Sequence, residues 1–467
     1  MMVTLLACTN QVNTTYETTT QIEKNENGKY VAPNGKEYDY CLELSGTMPN
    51  AARSTIMIVY TDDKDLTFEK ASKSIYSSNS KDTLDAYIDF IKPTVSTNSI
   101  EVNKKMINQI NDFAYQTIPV LSHTKSDNFN YSPASLYYAL AITGTGAKGE
   151  TQRQILHLLN VKSKDKLSIQ CNTLYNTLSK ENKATQLKLA NSIWLNEKNQ
   201  FKESFVSNAE DYFHTSTYKV DFANDETGKA MARWISEHTK GTLNPNIKTD
   251  PRQILSIINT IYFCDQWVDG FDKNHTQEEI FHTEQGDVKA DFMNQTNTTE
   301  FIKGRNFTRA TLRLKGNGQM VFILPDEEVN VRELISSKQA IKAAFEEGKV
   351  QNGEVRWKIP KINYDTTYQL KDPLITLGVI NAFNEDADFS GMTHDDACIS
   401  QILQQAHIAV DENGVEASAF TRTDIYGSAK PKESIVMNMN LDRPFLYGIV
   451  AENGILLFVG VCNNPSI

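Results

Sequence analysis

The sequence predicts an α+β fold, on three observations. Amphipathic helical runs crowd the stretch that begins near residue 101, apolar runs of strand length crowd the C-terminal part, and helices come first with sheets later. At 467 residues the chain is too long for one ordinary core and is read as more than one unit. Its 58 acidic and 47 basic residues, net −11, argue against a nucleic-acid backbone or an anionic membrane surface as the main partner, because both need clustered Lys and Arg. No segment approaches the roughly 18 consecutive apolar residues of a membrane span.

The start, "MMVTLLACTNQ", is too short for a whole secretory signal and lacks its basic leading region. Leu5, Leu6 and Ala7 before Cys8, with a polar stretch after it, nevertheless look like the tail of a bacterial lipoprotein signal, with Cys8 as the lipid-attachment residue. A chance cysteine in a cytosolic start is the competing reading. Residues 1–30 are thus a lipobox remnant and a flexible tether, rich in Thr, Asn, Gln, Glu and Lys. Residues 31–100 are read as a small α+β appendage. "YDYCLELSG" and "STIMIVYTDD" are strand-like, whereas "SKDTLDAYIDFIKP" spaces Leu84, Tyr87, Ile88 and Ile91 like an amphipathic helix stopped at Pro93. The polar link "TVSTNSIE" leads into the third region, 101–467.

There, Met106, Ile110, Phe113 and Ala114 share one helical face. The next helix is opened by Ser132 and Pro133, breaks at a Gly-rich turn and resumes through Ile155, Leu156 and Leu159. "QMVFILPDE" and "PFLYGIVAENGILLFVGV" are apolar strands, the latter folded back at Glu452-Asn453-Gly454, a hairpin signal.

Signs of catalysis are missing. The six cysteines (Cys8, Cys41, Cys171, Cys264, Cys398, Cys462) are far apart, without a CxxC pair or a histidine at ligand spacing, so neither a metal site nor a disulfide scaffold is expected. Cys264, in an apolar run, is expected to be an inert buried thiol. No GxSxG, HExxH, phosphate-loop or dinucleotide motif occurs, so no catalytic residue and no cofactor is proposed.

The stretch from Val410 to Lys432, "VDENGVEASAFTRTDIYGSAKPK", has an unusual pattern. Val415, Ala417, Ala419, Thr421 and Thr423 are small or apolar, and Glu416, Ser418, Phe420, Arg422 and Asp424 stand between them. This is strand alternation with one face of small side chains. On pattern alone, a plain edge strand would explain it.

With the stretches "YSPASLYYALAITGTGAKGETQRQILHLL", "ANSIWLNE", "WISEHTKGTL", "INTIYFCDQWVDGFDKNHTQEEIFH", "IPKINYDTTYQLKDPLITLGVINAFNEDADFSGMT", "VDENGVEASAFT" and "DRPFLYGIVAENGILLFVGVCNNP", residues 101–467 resemble the serpin family of serine protease inhibitors. The resemblance implies a large mixed central β-sheet with further sheets, about eight or nine surrounding helices and an exposed reactive loop. It also implies suicide-substrate inhibition, in which the cleaved loop inserts as a strand in the central sheet and traps the acyl-enzyme, so the protein is not a turnover enzyme. Small inward side chains suit such insertion, because bulky or charged groups would be overpacked or desolvated. The implied partners are serine proteases of elastase-like or subtilisin- and chymotrypsin-like specificity, with cysteine proteases as a further class. No nucleic acid is expected, membrane contact only through a lipid at Cys8, and a monomer at an extracellular or bacterial envelope location. The alternative is a non-inhibitory serpin acting as a surface binding module.

Carried over residue by residue, the resemblance makes Glu412, Gly414, Val415, Glu416, Ala417, Ser418, Ala419 and Thr421 the loop hinge, with Glu412 paired to Lys361. Simple surface charges are the rival reading of that pair. Ser132, Ser135, Asn259 and Gln404 become a hydrogen-bonded gate under the sheet, although Ser132 alone is also a helix cap. Spacing from Glu412 puts the reactive bond at Ser428–Ala429, with Tyr426 as runner-up. Three positions depart from the family pattern. Gln404 stands where His is usual and cannot titrate, Val415 where Thr or Ser is common, and Phe420 where a small residue is preferred.

Overall fold

The computed structural model describes residues 24–25, 27–31, 36–47, 54–67, 86–91, 104–122, 128–181, 185–400, 402–415 and 435–466. The chain divides into two compact units, 1–100 and 101–467.

In the first unit β1 (Tyr30–Val31) pairs with β2 (Glu37–Tyr38), and β3 (Tyr40–Thr47), β4 (Ser54–Thr61) and β5 (Ala86–Ile91) form an antiparallel sheet. Tyr38 and Tyr60 are buried, with ring centroids 6.5 Å apart. The helix expected through Leu84 and Ile91 is instead a strand over Ala86–Ile91. Tyr87, Ile88, Phe90 and Ile91 are aromatic or β-branched and fit a pleated surface, and β4 offers them an edge from Thr61↔Ala86 to Ile56↔Ile91. Fourfold apolar spacing over so short a run does not distinguish the two structures.

Among its described residues the second unit has eight α-helices: α1 (Lys104–Ser122), α2 (Pro133–Gly146), α3 (Gly149–Leu158), α4 (Lys164–Leu178), α5 (Glu203–Phe213), α6 (Asp225–His238), α7 (Lys338–Glu346) and α8 (Lys371–Thr376). Its strands, in chain order, are β6 (Phe129–Tyr131), β7 (Lys180–Glu181), β8 (Thr185–Asn196), β9 (Thr215–Val220), β10 (Leu255–Gln266), β11 (Gln277–Thr283), β12 (Gly286–Lys303), β13 (Phe307–Arg313) and β14 (Gln319–Pro325). They continue as β15 (Lys349–Pro360), β16 (Ile362–Gln369), β17 (Leu403–Val410), β18 (Gly414–Val415), β19 (Ile435–Asn440), β20 (Phe445–Val450) and β21 (Leu456–Cys462).

Two sheets organise this unit. One has the order β16-β17-β18-β10-β8-β7, with β9 also on β8; the other has the order β19-β15-β12-β13-β14-β20-β21-β6, with β11 also on β12. Helix α2 packs against β10 of the first sheet and β21 of the second. Its sequence is apolar on every side, and each residue from Pro133 to Gly146 except Ala139 is buried, as a central helix requires. Ser132 caps it, accepting from the Ser135 backbone N–H, and Pro133 fills the first helical position, where no donor is needed.

The arrangement around β18 positions the site. β18 is antiparallel both to β10, through Gln266↔Gly414 and Asp265↔Val415, and to β17, through Val410↔Val415. β10 and β17 therefore run parallel to each other. Among the described residues no register joins them directly; only the two residues of β18 lie between them. The chain leaves Val415 in this sheet and re-enters as β19 in the other one, parallel to β15.

Candidate functional site: the turn into β18 and the start of α2

The turn that feeds β18 is built from its own sequence. Asp411 Oδ1 accepts from the backbone N–H groups of Asn413 (2.7 Å) and Gly414 (3.2 Å), an Asx turn that reverses the chain out of β17. Trp267, fully buried, holds the turn from the end of β10. Its indole N–H donates to the Asp411 carbonyl at 2.9 Å and its backbone N–H to the Asn413 carbonyl at 3.0 Å. Gly414 is required because a Cβ there would overlap the backbone carbonyl of Asp265. Val415 is 1% exposed and shares a face with buried Val410 and Asp265.

Glu412 sits in this turn and is 3% exposed. Its Oε1 receives Lys361 Nζ at 2.8 Å and the Thr276 hydroxyl at 2.8 Å, and its carbonyl accepts from Phe271 N–H at 3.0 Å. Burial pushes the carboxyl up, but the bonds from Lys361, its own backbone N–H and Thr276 together outweigh that and hold it below the usual range. Asp265, opposite Val415, is buried and accepts from Thr185 Oγ1 (2.9 Å), Gly316 N–H (3.1 Å) and Gln266 N–H (2.9 Å). Desolvation outweighs these bonds and raises its carboxyl.

Further along β10 and β17, one turn of α2 is tied to both strands. On the β17 side the Gln404 amide brackets Ser132, accepting from its N–H at 3.2 Å and donating to its carbonyl at 2.9 Å, while Ser132 Oγ donates to Leu457 O at 2.8 Å. On the β10 side the Ser135 hydroxyl donates to Asn259 Oδ1, Asn259 Nδ2 donates to Asn191 Oδ1 at 2.6 Å, and Asn191 Nδ2 to Phe213 O at 2.7 Å. The structure thus brings Ser132 together with Gln404 and Ser135 with Asn259, and Lys361 with Glu412. Glu416, Ala417, Ser418, Ala419, Thr421, Tyr426, Ser428, Ala429 and Cys8 lie outside the described residues. Sequence reasoning missed Asn191, Asp265, Trp267 and Thr276. The signal for Asn191 was an amide inside the apolar run "LKLANSIWL", matching Asn259 in "SIINTIYF". Cys264, expected buried, is half-buried. Among the described residues no group of three or more His, Cys, Asp or Glu side chains is placed to hold a metal ion.

These features define a class of proteins: those in which, among the described residues, two parallel strands of a mixed sheet are joined only through the first residues of a connecting segment. The chain belongs to the serpin family and has the serpin fold; the family's sequence model, serpin (serine protease inhibitor), matches residues 108–465. It is 30% identical over 367 residues to an uncharacterized serpin-like protein of Methanosarcina acetivorans, covering 75% of this chain and 84% of that protein. Identity to the alpha-1-antitrypsin-like protein GS55-MS of Ictidomys tridecemlineatus is 29%, over 76% of this chain and 88% of the other. Among solved structures, the thermophilic serpin tengpin in its native state matches with a TM-score of 0.71 and 28% identity, over 79% of this chain and 96% of tengpin. Tengpin in its latent state gives 0.66 and 26%, over 78% and 98%.

Proposed function

We propose that the protein is a suicide-substrate inhibitor of serine proteases, with cysteine proteases as a further class. The observation that carries this reading is the register of β18. Were the strand to continue residue by residue past Val415 on insertion, Ala417 would fall between Phe263 and Ile408, Ala419 between Ile261 and Ala406, and Thr421 between Asn259 and Gln404. All three would then share the face of Val415, where Ile408, Ala406 and Gln404 are buried, so that small side chains would meet the packed side of the sheet.

The protease serine attacks the carbonyl of the reactive bond, proposed as Ser428–Ala429 with Tyr426 as runner-up. The C–N bond breaks, the new amine at Ala429 takes its proton from the protease histidine, and an ester joins protease to inhibitor. The freed segment then zips between β10 and β17, breaking one of the two ties to α2. About fifteen residues gaining backbone bonds worth about 0.5–1.5 kcal/mol each release on the order of 10–20 kcal/mol, enough to distort the attached protease and slow hydrolysis of the ester. The loop-exposed form is then held by kinetics rather than by equilibrium.

Incubation with elastase-like and subtilisin-like proteases, read on a denaturing gel, tests the reading. A covalent complex supports it. Clean cleavage without a complex replaces it with a non-inhibitory binding module. We further propose attachment to the outer face of a bacterial envelope through a lipid on Cys8; fatty-acid labelling that persists in Cys8→Ala would overturn this.

A further inference from the structure

One carboxylate in the turn into β18 touches both nitrogens of an Asn-Gly pair. Asp411 Oδ1 accepts from the Gly414 N–H at 3.2 Å, and Asp411 Oδ2 accepts from the Asn413 side-chain amide at 3.0 Å. Together these contacts turn the carboxamide toward the peptide nitrogen that follows it. A bond between that nitrogen and the carboxamide carbon closes a five-membered ring, and Gly414 has no Cβ to obstruct the approach. Asn413 is 9% exposed, so the pair lies at the margin of the core and water reaches it. The same dipeptide at Asn453–Gly454 is held differently. There the Gly454 N–H goes to the Ala451 carbonyl at 2.8 Å, and Asn453 Oδ1 accepts from the Ile455 N–H at 3.2 Å. The charged groups packed around the first turn are Glu412, paired with Lys361, and Asp265 on β10, while Asp411 itself makes no ion pair among the described residues.

We propose that Asp411 catalyses the spontaneous conversion of Asn413 to aspartate and isoaspartate, a self-modification that needs neither a protease nor loop insertion. The Asp411 carboxylate takes the Gly414 proton as the nitrogen lone pair attacks Asn413 Cγ and the N–Cγ bond forms. It returns that proton to Nδ2 as the Cγ–Nδ2 bond breaks, and the nitrogen leaves as ammonia with its bonding pair. Water then opens the resulting succinimide at either carbonyl. Because the proton is borrowed and given back, the rate does not follow hydroxide, as it does where hydroxide must remove the peptide proton. Isoaspartate lengthens the main chain by one carbon between residues 413 and 414. The pairs Gln266↔Gly414 and Asp265↔Val415 then lose their register, as does the bond from Trp267 N–H to the Asn413 carbonyl, and β18 leaves the sheet.

The test incubates the full chain at physiological temperature from about pH 6 to 8, as wild type, as Asp411→Asn, which keeps an acceptor for the turn, and as Asp411→Ser. Peptides from an acidic digest are read by mass spectrometry for the deamidated form and by enzymatic methylation for isoaspartate, with Asn453–Gly454 as the control within the same chain. Asn413 is expected to convert about a hundredfold faster than Asn453, at a rate that stays flat while that of Asn453 rises with hydroxide. Both variants bring Asn413 down to the rate and pH dependence of the control, and wild-type chains carrying isoaspartate are cut sooner near residue 415 by limited proteolysis. A wild-type Asn413 rate no greater than that of Asn453, or one that follows hydroxide, overturns the proposal, and this profile decides the matter even if both variants misfold. An undiminished rate in folded variants overturns it as well.

Discussion

Replacing Glu412 by Gln measures how firmly the hinge is latched. The substitution keeps the shape and one acceptor oxygen, so the Thr276 hydroxyl can still donate; what goes is the charge in the bond to Lys361. Hydrogen bonds to charged groups contribute about 1.5–3 kcal/mol. The Lys361 side chain is 38% exposed, so water recovers part of this, leaving about 1–2 kcal/mol, or about five- to thirtyfold toward the released hinge. For a unit the size of 101–467 that lowers the native Tm by about 1–3 °C. The assay is self-insertion at raised temperature, followed as loss of protease cleavage in the loop, for Glu412→Gln, Lys361→Gln and the double variant. A coupling of about 1–2 kcal/mol is expected. The pH dependence has a definite sign. A carboxyl held low stabilises the fold above its unfolded value, 4.5, and loses that contribution as pH falls through the folded value, so wild type loosens only in acid and Glu412→Gln lacks this limb. Wild-type insertion rates in all three variants, with coupling below about 0.3 kcal/mol, would refute the latch.

Four further outcomes are expected. Gly414→Ala places a Cβ against the Asp265 carbonyl, so β18 undocks and the bonds around residue 415 become more sensitive to limited proteolysis; unchanged sensitivity contradicts the docking. Ser135→Ala leaves Asn259 Oδ1 short of a donor and lowers the native Tm by about 1–4 °C, more than that of the cleaved form, in calorimetry. Carbon-detected NMR of labelled aspartate should show Asp265 titrating above 3.8, since burial raises it; a midpoint at or below that value refutes the buried-carboxyl account. Gln404→His puts a titratable ring at the gate, so self-insertion becomes pH-dependent between about pH 5 and 8 while wild type stays flat there.

What the sequence disclosed depended on how local the signal was. The Val415 alternation is a period-two pattern readable in a dozen residues, and Ser132-Pro133 announces a helix start that also carries half the gate. Asn191 was passed over for the opposite reason. It matters only because β8 and β10 align it with Asn259 across 68 residues, and no single-sequence pattern encodes that register. Trp267 read as one more apolar residue, although its indole N–H makes it a clamp on Asp411. Asp265 could be any surface acid until Thr185 and Gly316 close over it. At β5 the failure was ambiguity: Tyr87, Ile88 and Ile91 fit helical spacing but are aromatic or β-branched types that favour a strand, and the β4 edge decided between them.

The two-residue wedge at Gly414–Val415 also has a consequence for how the protein behaves in company. If the loop inserts as proposed, the place beside Val415 would not discriminate by molecule, and a neighbour's loop would compete with the protein's own. The tethered loop enjoys an effective concentration in the millimolar range, whereas a neighbour is present only at the bulk concentration. On that proposal self-insertion would dominate in dilute solution, and chain-to-chain linkage would become competitive only as crowding at a surface or in storage approached that range.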